Sequence, residues 1–282
     1  VFDMQNVDVA RQFAQIVFRA CLESDDRNTK TVAGDAGDRA LALIQFDKLM
    51  TERAVCPHYQ PIVAIDDRRL LGYEVLGRSR LFGLTNPHSM FSAAAVLNLE
   101  GELSRIFREE GIRNGGRFDP HASLFVNTHP AEMRDLDLLI FSLHELREQD
   151  TDRPMVLEIH EASATQHGQM KKLRAALREF NIGLAYDDFG AGQARLVELV
   201  EVPPDYLKFD MKLVQGIGAA PQERQMMLAR LVQMVVELGI TPLAEGIESE
   251  DDHHACREMG FTCAQGYLYG RPALPKDLST EG

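Results

Sequence analysis

Short apolar segments alternate with helix-like stretches from Pro57 onward, and this alternation restricts the fold more than any other feature of the chain. The segments HYQPIVAI and LLGYEVLG flank a polar DDRR turn, which predicts a β-hairpin. Later apolar segments have the length of single strands, and most are separated by stretches with amphipathic helical spacing. They are SLFVN, MVLEIH, IGLAYDD, DYLKFD, TPLAEG and TCAQG.

Strands that alternate with helices predict a parallel sheet in the α/β class. The hairpin and the six later strands together make eight. We therefore predict a (β/α)8 TIM-like barrel that opens with an antiparallel strand pair. An open doubly wound sheet is the alternative, although the chain has no GxGxxG or GxxxxGK[ST] phosphate loop to support one.

The first 55 residues have a different pattern. Val9–Leu22 and Asp38–Met50 show helical spacing of apolar residues, and a polar loop separates them. We predict a helical N-terminal linker or cap over 1–55, followed by the barrel over 56–282. The chain begins with Val, so a processed chain and a fragment of a longer protein are both open; a fragment would allow an upstream sensor domain.

The charge balance excludes several partners. Thirty Lys and Arg against 43 Asp and Glu give a formal net charge of -13, which offers no basic footprint for bulk nucleic acid or an anionic membrane.

No apolar run approaches the ~18 residues of a membrane span, and the N-terminus has no secretory apolar region. Four cysteines without a CxxC pair indicate reduced thiols. We expect a cytoplasmic protein.

Each predicted strand after the first carries a residue able to bind metal, bind substrate or transfer a proton, usually at its carboxyl end. In a barrel these ends converge on one face, where barrel enzymes have their active sites. A single such residue is as readily a helix cap, but seven consecutive strands with this placement favour a site. The residues are Glu74, Asn127, Glu158, Asp187 with Asp188, Lys208, Glu245 and Gln265.

The residue types narrow the chemistry. Carboxylate and amide oxygens suit Mg2+, Mn2+ or Ca2+, whereas zinc prefers His or Cys. The adjacent Asp187 and Asp188 fit two cations that share a carboxylate, an arrangement that typically hydrolyses phosphoesters. Lys208 is the one cation of the set. It would position or help deprotonate an attacking water, or form an ion pair with a ligand carboxylate.

Eight motifs in order make the chain similar to the EAL-type phosphodiesterases, which hydrolyse the bacterial second messenger cyclic di-GMP. The resemblance runs from about Tyr59 to Pro272. One short motif would carry little weight, but the ordered combination is specific. The motifs are YQPI (59–62), EVLGR (74–78), VN (126–127), LEIHE (157–161), DDFGAG (187–192), DYLKFD (205–210), AEGIE (244–248) and QGYLYGRP (265–272).

The resemblance implies two divalent cations, Mg2+ or Mn2+, with Ca2+ occupying the site without supporting turnover. The first cation would be held by Glu74, Asn127, Glu158 and Asp187, and the second by Asp187, Asp188 and Glu245. Lys208 would orient the attacking water and, with Asp187 and Glu245, complete the catalytic set. The implied reaction is hydrolysis of cyclic di-GMP to linear pGpG.

The resemblance also implies a substrate pocket and a homodimer. Glu161 would anchor the loop that follows the Asp pair, and in the family this loop couples the metal site to the dimer interface. Arg78 would contact a phosphate through its planar guanidinium. The residues that match pocket positions are Gln60, Leu76, Arg78, Glu248, Gln265 and Pro272.

Several positions depart from the family pattern. The loop usually reads DDFGTGYSSL, and here it is DDFGAGQARL. This change leaves open a second reading, an EAL-type module of little or no activity that binds cyclic di-GMP as a sensor. His160 replaces the usual threonine, and strand alternation places it on the same face as Glu158, where it is an extra metal ligand or a hydrogen-bonding partner. His253 and His254 are expected on a solvated helix face.

Overall fold

The computed structural model describes residues 30–149, 152–160, 167–191 and 196–278. Three features of the sequence analysis lie outside these ranges: the predicted helix at Val9–Leu22, the loop anchor Glu161 and the altered loop positions 193–195.

The described strands form a closed eight-stranded barrel in chain order. The first strand pairs antiparallel with both the second and the eighth, and the remaining neighbours pair in parallel. The predicted α/β barrel with an antiparallel opening pair is therefore confirmed. The strands are β1 (His58–Ala64), β2 (Leu70–Leu76), β3 (Ser123–Thr128), β4 (Met155–His160), β5 (Ile182–Phe189), β6 (Tyr206–Phe209), β7 (Thr241–Ala244) and β8 (Cys263–Gln265).

Helices follow most of the parallel strands, as the alternation predicts. Short 3-10 helices at Pro130–Arg134 and Ile217–Ala219 complete the connections. No helix among the described residues is long and apolar enough to cross a membrane. The described α-helices are α1 (Lys30–Thr51), α2 (Pro87–Leu97), α3 (Glu100–Gly115), α4 (Leu136–Gln149), α5 (His167–Glu179), α6 (Leu196–Glu201), α7 (Met211–Val214), α8 (Gln222–Glu237), α9 (Glu250–Glu258) and α10 (Pro275–Leu278).

The contacts divide the chain into two units. The first contains the described residues up to Pro57 together with Gly77–Glu110, and its core includes Phe46, Leu49 and Met90. The second contains His58–Leu76 and the chain from Gly111 onward, and it carries the barrel strands. The boundary that we predict after residue 55 stays a prediction.

Side chains of the barrel strands alternate between two apolar clusters, because successive residues of a strand point to opposite faces. The larger cluster contains outward-facing residues such as Leu124, Leu157 and Leu184, which pack with helix side chains. The smaller cluster lies inside the barrel, where small barrels are filled by side chains. It consists of the buried residues Ile62, Phe125, Val156, Ala185, Leu243 and Cys263.

Alternation also explains why a polar layer lies next to this apolar interior. The residue two positions beyond an inward-facing apolar residue points to the same side, nearer the carboxyl end of the strand. Val156 is thus followed by Glu158, Ala185 by Asp187, and Leu243 by Glu245. In the antiparallel β1 the direction is reversed, so the inward polar residue, Gln60, precedes Ile62.

Candidate metal centre

Lys208 lies at the centre of the polar layer and is fully buried. Its Nζ is 2.8 Å from Glu158 Oε1, 2.9 Å from Asp187 Oδ1 and 3.0 Å from Glu245 Oε1. The carboxylate of Glu74 is farther away, with its Oε2 3.6 Å from the same Nζ. The structure therefore brings together four of the predicted metal ligands around the predicted lysine.

The electrostatics of this cluster show an excess of negative charge. Burial raises the pKa of Glu158 well above its usual value, against the attraction of Lys208, and raises the pKa of Glu245 to about 8. Burial alone would lower the pKa of Lys208, but the surrounding carboxylates, Asp187 foremost, raise it well above its ordinary range. One ammonium thus compensates the acids only in part, and further positive charge would be favourable here.

Two adjacent acids reach the site because the end of β5 is irregular. In a regular strand Asp187 and Asp188 would face opposite sides. The pairing of β5 with β6 shifts between Tyr186 and Phe189, and Asp188 has a left-handed backbone with φ 61°. Such a backbone is uncommon for a residue other than glycine and is found at sites of functional strain. Both carboxylates therefore lie on the same side as Glu245.

Asp187, Asp188 and Glu245 each offer one oxygen, and these three atoms lie within 4.8 Å of one another. Burial, with repulsion from Asp187, raises the pKa of Asp188. The imidazole Nε2 of His160 lies 3.2 Å from Asp188 Oδ2. His160 is therefore on the Glu158 side of β4, as strand alternation predicts.

Three amide side chains complete the layer. Asn127 Nδ2 donates to Glu74 Oε1 at 3.2 Å, and Gln265 Nε2 donates to Glu74 Oε2 at 2.5 Å. Gln265 Nε2 also lies 3.0 Å from Gln60 Oε1, and Gln60 Nε2 donates to the Gly270 carbonyl. Glu74 is thus held by partners from β3 and β8 in addition to Lys208.

The donor set fits divalent cations. Both side-chain oxygens of Glu158 are buried, and Oε2 has no hydrogen-bond partner among the described residues. A buried carboxylate oxygen left without a partner is costly, and a cation ligated by oxygen would remove that cost. The close oxygens of Asp187, Asp188 and Glu245 provide a second set of hard ligands.

An open cleft lies over the polar layer, with a volume of about 270 Å3. This volume is close to the lower end of the range of about 300–1,000 Å3 that is usual for small-molecule sites. Three predicted substrate residues, Gln60, Glu248 and Gln265, line it. The lining residues are Gln60, Glu74, Asp188, Asp210, Met211, Glu245, Gly246, Glu248, Gln265, Gly266 and Tyr267.

The other predicted substrate residues are not among this lining. Leu76 ends β2 and Pro272 is half-buried beyond β8. Arg78 belongs to the first unit, where its guanidinium donates to the carbonyl of Gly77. Their roles, and that of Glu161, stay predictions.

Sequence reasoning missed several residues of the cleft. Asp210 lines it and accepts a hydrogen bond from the backbone of Lys212 at the start of α7. The exposed ring of Tyr267 lines it as well. Both residues belong to motifs that carry the resemblance, DYLKFD and QGYLYGRP. Each lies two positions after a residue with a predicted role, and this closeness in sequence could have pointed to it.

The expectation for His253 is wrong. His254 is exposed, but His253 is buried, and its Nδ1 lies 2.8 Å from the Tyr269 hydroxyl. Burial lowers the pKa of His253. The acidic sequence around it suggested a solvated face, yet the segment after β8 covers this side of α9.

The fold is a closed α/β barrel, and carboxylates and a buried lysine lie at the carboxyl ends of its strands. These features define a barrel protein with a candidate divalent-cation centre. Comparison with known proteins identifies the group more closely. The chain belongs to the EAL domain family, whose model matches residues 45–272.

Curated relatives and solved structures are similar over most of the chain. The cyclic di-GMP phosphodiesterase RocR of Pseudomonas aeruginosa is 29% identical over 228 residues, which are 76% of this chain and 56% of RocR. The biofilm architecture maintenance protein MbaA of Vibrio cholerae is 29% identical over 251 residues, 86% of this chain and 30% of MbaA. The chain thus matches little more than half of the length of RocR and less than one third of the length of MbaA.

A structure of BlrP1 from Klebsiella pneumoniae in complex with manganese and cyclic di-GMP at pH 9.0 superimposes with a TM-score of 0.68. It is 25% identical, and the match covers 88% of this chain and 67% of the BlrP1 chain. Together with the acidic cluster, this likeness suggests divalent-metal binding.

Proposed function

We propose that this chain hydrolyses cyclic di-GMP to linear pGpG with two divalent cations, Mg2+ or Mn2+, and so lowers the messenger level in bacterial signalling. The observation that carries the proposal is the polar layer, in which Lys208 and four acids meet beneath an open cleft. The similarity to RocR supports the choice of substrate.

The proposed cation ligands come from neighbouring strands. Glu74, Asn127, Glu158 and Asp187 would hold one cation, and Asp187, Asp188 and Glu245 the other. When bound, such cations act as Lewis acids on a phosphoryl oxygen and on water. Two observations support this assignment: Oε2 of Glu158 has no hydrogen-bond partner in the described part of the chain, and the oxygens of Asp187, Asp188 and Glu245 lie close together.

Lys208 would orient the attacking water. Its pKa is raised by the carboxylates around it, so the ammonium keeps its protons and donates hydrogen bonds. This favours positioning over proton abstraction, two roles that the sequence leaves open. Contacts of 2.8–3.0 Å to Glu158, Asp187 and Glu245 hold Nζ in place.

Substrate binding would use the cleft. Glu248 is exposed at its edge, and the buried amides of Gln60 and Gln265 lie at its floor. These groups can hydrogen-bond guanine edges and sugar hydroxyls. The two bound cations would offset the acidic lining, so that an acidic protein can take a small phosphodiester.

A product assay tests the proposal. Purified protein with cyclic di-GMP should form pGpG with Mg2+ or Mn2+ and not with Ca2+, and Glu74→Ala, Asp187→Ala and Lys208→Ala should each abolish it. Glu223→Gln, which changes an exposed acid of α8, is the matched control and should retain activity. Absence of product over hours with Mn2+ would refute hydrolysis, and nucleotide binding without turnover would establish the sensor alternative.

We further propose that the chain acts as a homodimer in the cytoplasm. Light scattering after size-exclusion chromatography should give twice the 31.6 kDa chain mass. A mass of one chain at micromolar concentration would contradict the dimer.

A further inference from the structure

His160 is a polar side chain at the edge of the candidate metal centre that none of the proposed catalytic roles uses. It ends β4, and in the register of β4 with β5 it lies opposite Asp187. Its Nε2 approaches the next residue, Asp188, at 3.2 Å from Oδ2. This contact joins a strand end to the one acid of the centre that has an unusual backbone.

Asp188 needs an external support more than the other acids do. The side chains of Glu158, Asp187 and Glu245 are 0%, 17% and 17% exposed and each contacts the buried ammonium of Lys208. Asp188 is 38% exposed, and its described ion-pair partner is His160. Asp188 is thus only partly buried and less enclosed than the three acids around Lys208, so packing restrains its carboxylate less.

We propose that His160 is a positioning residue for the second cation site, the one formed by Asp187, Asp188 and Glu245. The imidazole N–H holds Oδ2 of Asp188 and leaves Oδ1 for a cation. This inference rests on the proposed function only in taking these three residues as one cation site. It concerns the affinity of that site and not the reaction itself.

The geometry favours action through Asp188 over direct ligation. The oxygens of Asp187, Asp188 and Glu245 lie within 4.8 Å of one another, and the imidazole is not part of this close set. Groups that hydrogen-bond a metal ligand fix its orientation, and their loss typically weakens metal binding by about 10–100-fold.

Mn2+ titration of the nucleotide-free protein tests the inference without an activity readout. Wild type should bind two Mn2+, measured by calorimetry and by electron paramagnetic resonance. His160→Ala should weaken one site by about 10–100-fold and leave the other almost unchanged. His160→Gln, whose amide N–H can donate to Asp188, should recover most of the loss.

His144→Ala is the matched control. His144 is a half-exposed histidine of α4 that lies 4.0 Å from a carboxylate oxygen of Glu148, and its removal should leave both Mn2+ sites unchanged. The unfolding midpoint of metal-free His160→Ala should equal that of wild type, because the contact is exposed. Should that variant fail to fold, His160→Leu fills the space without a donor and takes its place.

Unchanged Mn2+ affinity in His160→Ala would overturn the positioning role, as would an equal loss at both sites or a loss in His160→Gln as large as in His160→Ala. Failure of the proposed function has a different signature, which is wild type that binds two Mn2+ and cyclic di-GMP but forms no pGpG. In that case the Mn2+ affinities of the His160 variants still test whether His160 positions Asp188.

Discussion

Replacing Lys208 by methionine should destabilise the metal-free protein strongly. The ammonium is fully buried and contacts three acids at 2.8–3.0 Å. Methionine has a similar length, so the change removes the charge without opening a large cavity. Breaking a buried ion pair by removing one partner costs about 3–5 kcal/mol, because the remaining charge is left without compensation. We expect this loss in the free energy of unfolding at pH 8.

The loss should depend on pH with a defined sign. The pKa of Glu158 and Glu245 is raised in the folded protein even with Lys208 present. A carboxyl with a raised folded-state pKa favours folding when it is protonated, and this contribution is lost as the pH rises through that pKa. Without the lysine these pKa values rise further. The destabilisation in Lys208→Met should therefore be smaller at pH 5 than at pH 8.

Urea unfolding followed by circular dichroism, with EDTA present, measures both effects. Lys212→Met, which removes an exposed lysine four residues away, is the control and should change stability by less than about 0.5 kcal/mol. Saturating Mn2+ should restore part of the loss, since a cation replaces the missing charge. A loss below about 1 kcal/mol at pH 8, or one of equal size at both pH values, would refute the reasoning.

Three further predictions concern the cation site and the cleft. Protons compete with metal for Glu245, whose pKa is raised to about 8 by burial, so Mn2+ affinity should rise from pH 6 to pH 8 and then level off in calorimetric titrations; a flat profile would contradict this. Gly266→Ala would place a Cβ 2.1 Å from the Ile247 carbonyl oxygen. We therefore expect the free energy of unfolding in urea to fall by about 1–3 kcal/mol and nucleotide binding to weaken. Wild-type stability would show that this backbone approach is not rigid. Glu248→Ala should weaken cyclic di-GMP binding in fluorescence titrations without changing the urea midpoint, and equal affinity would remove Glu248 from the substrate site.

Local pattern was enough to predict much of the site, because strand alternation is a short-range property. Val156 and Glu158, or Ala185 and Asp187, are two residues apart and therefore share a face in any regular strand. The apolar and polar layers of the barrel interior follow from this spacing. The closed barrel itself follows from eight strands with helical connections, which the sequence shows as alternating segments.

Burial was predicted less well, because it depends on what packs from elsewhere. His253 lies in an acidic stretch that suggests a solvated helix, but Tyr269, 16 residues later, contacts its ring nitrogen. The grouping of Gly77–Glu110 with the N-terminal unit is likewise a matter of which apolar side chains meet. Residue type and spacing do not carry that information.

The sequence by itself determined the fold class, the oxygen-donor chemistry of the site and the strands that supply it. Only the tertiary structure decided how the donors meet. The shifted pairing at the end of β5 and the left-handed backbone of Asp188 bring adjacent acids to one side, although strand periodicity alone would separate them. Barrel closure brings Gln265 to Glu74 across 191 residues of chain, since the register of β1 with β8 sets which strand ends coincide.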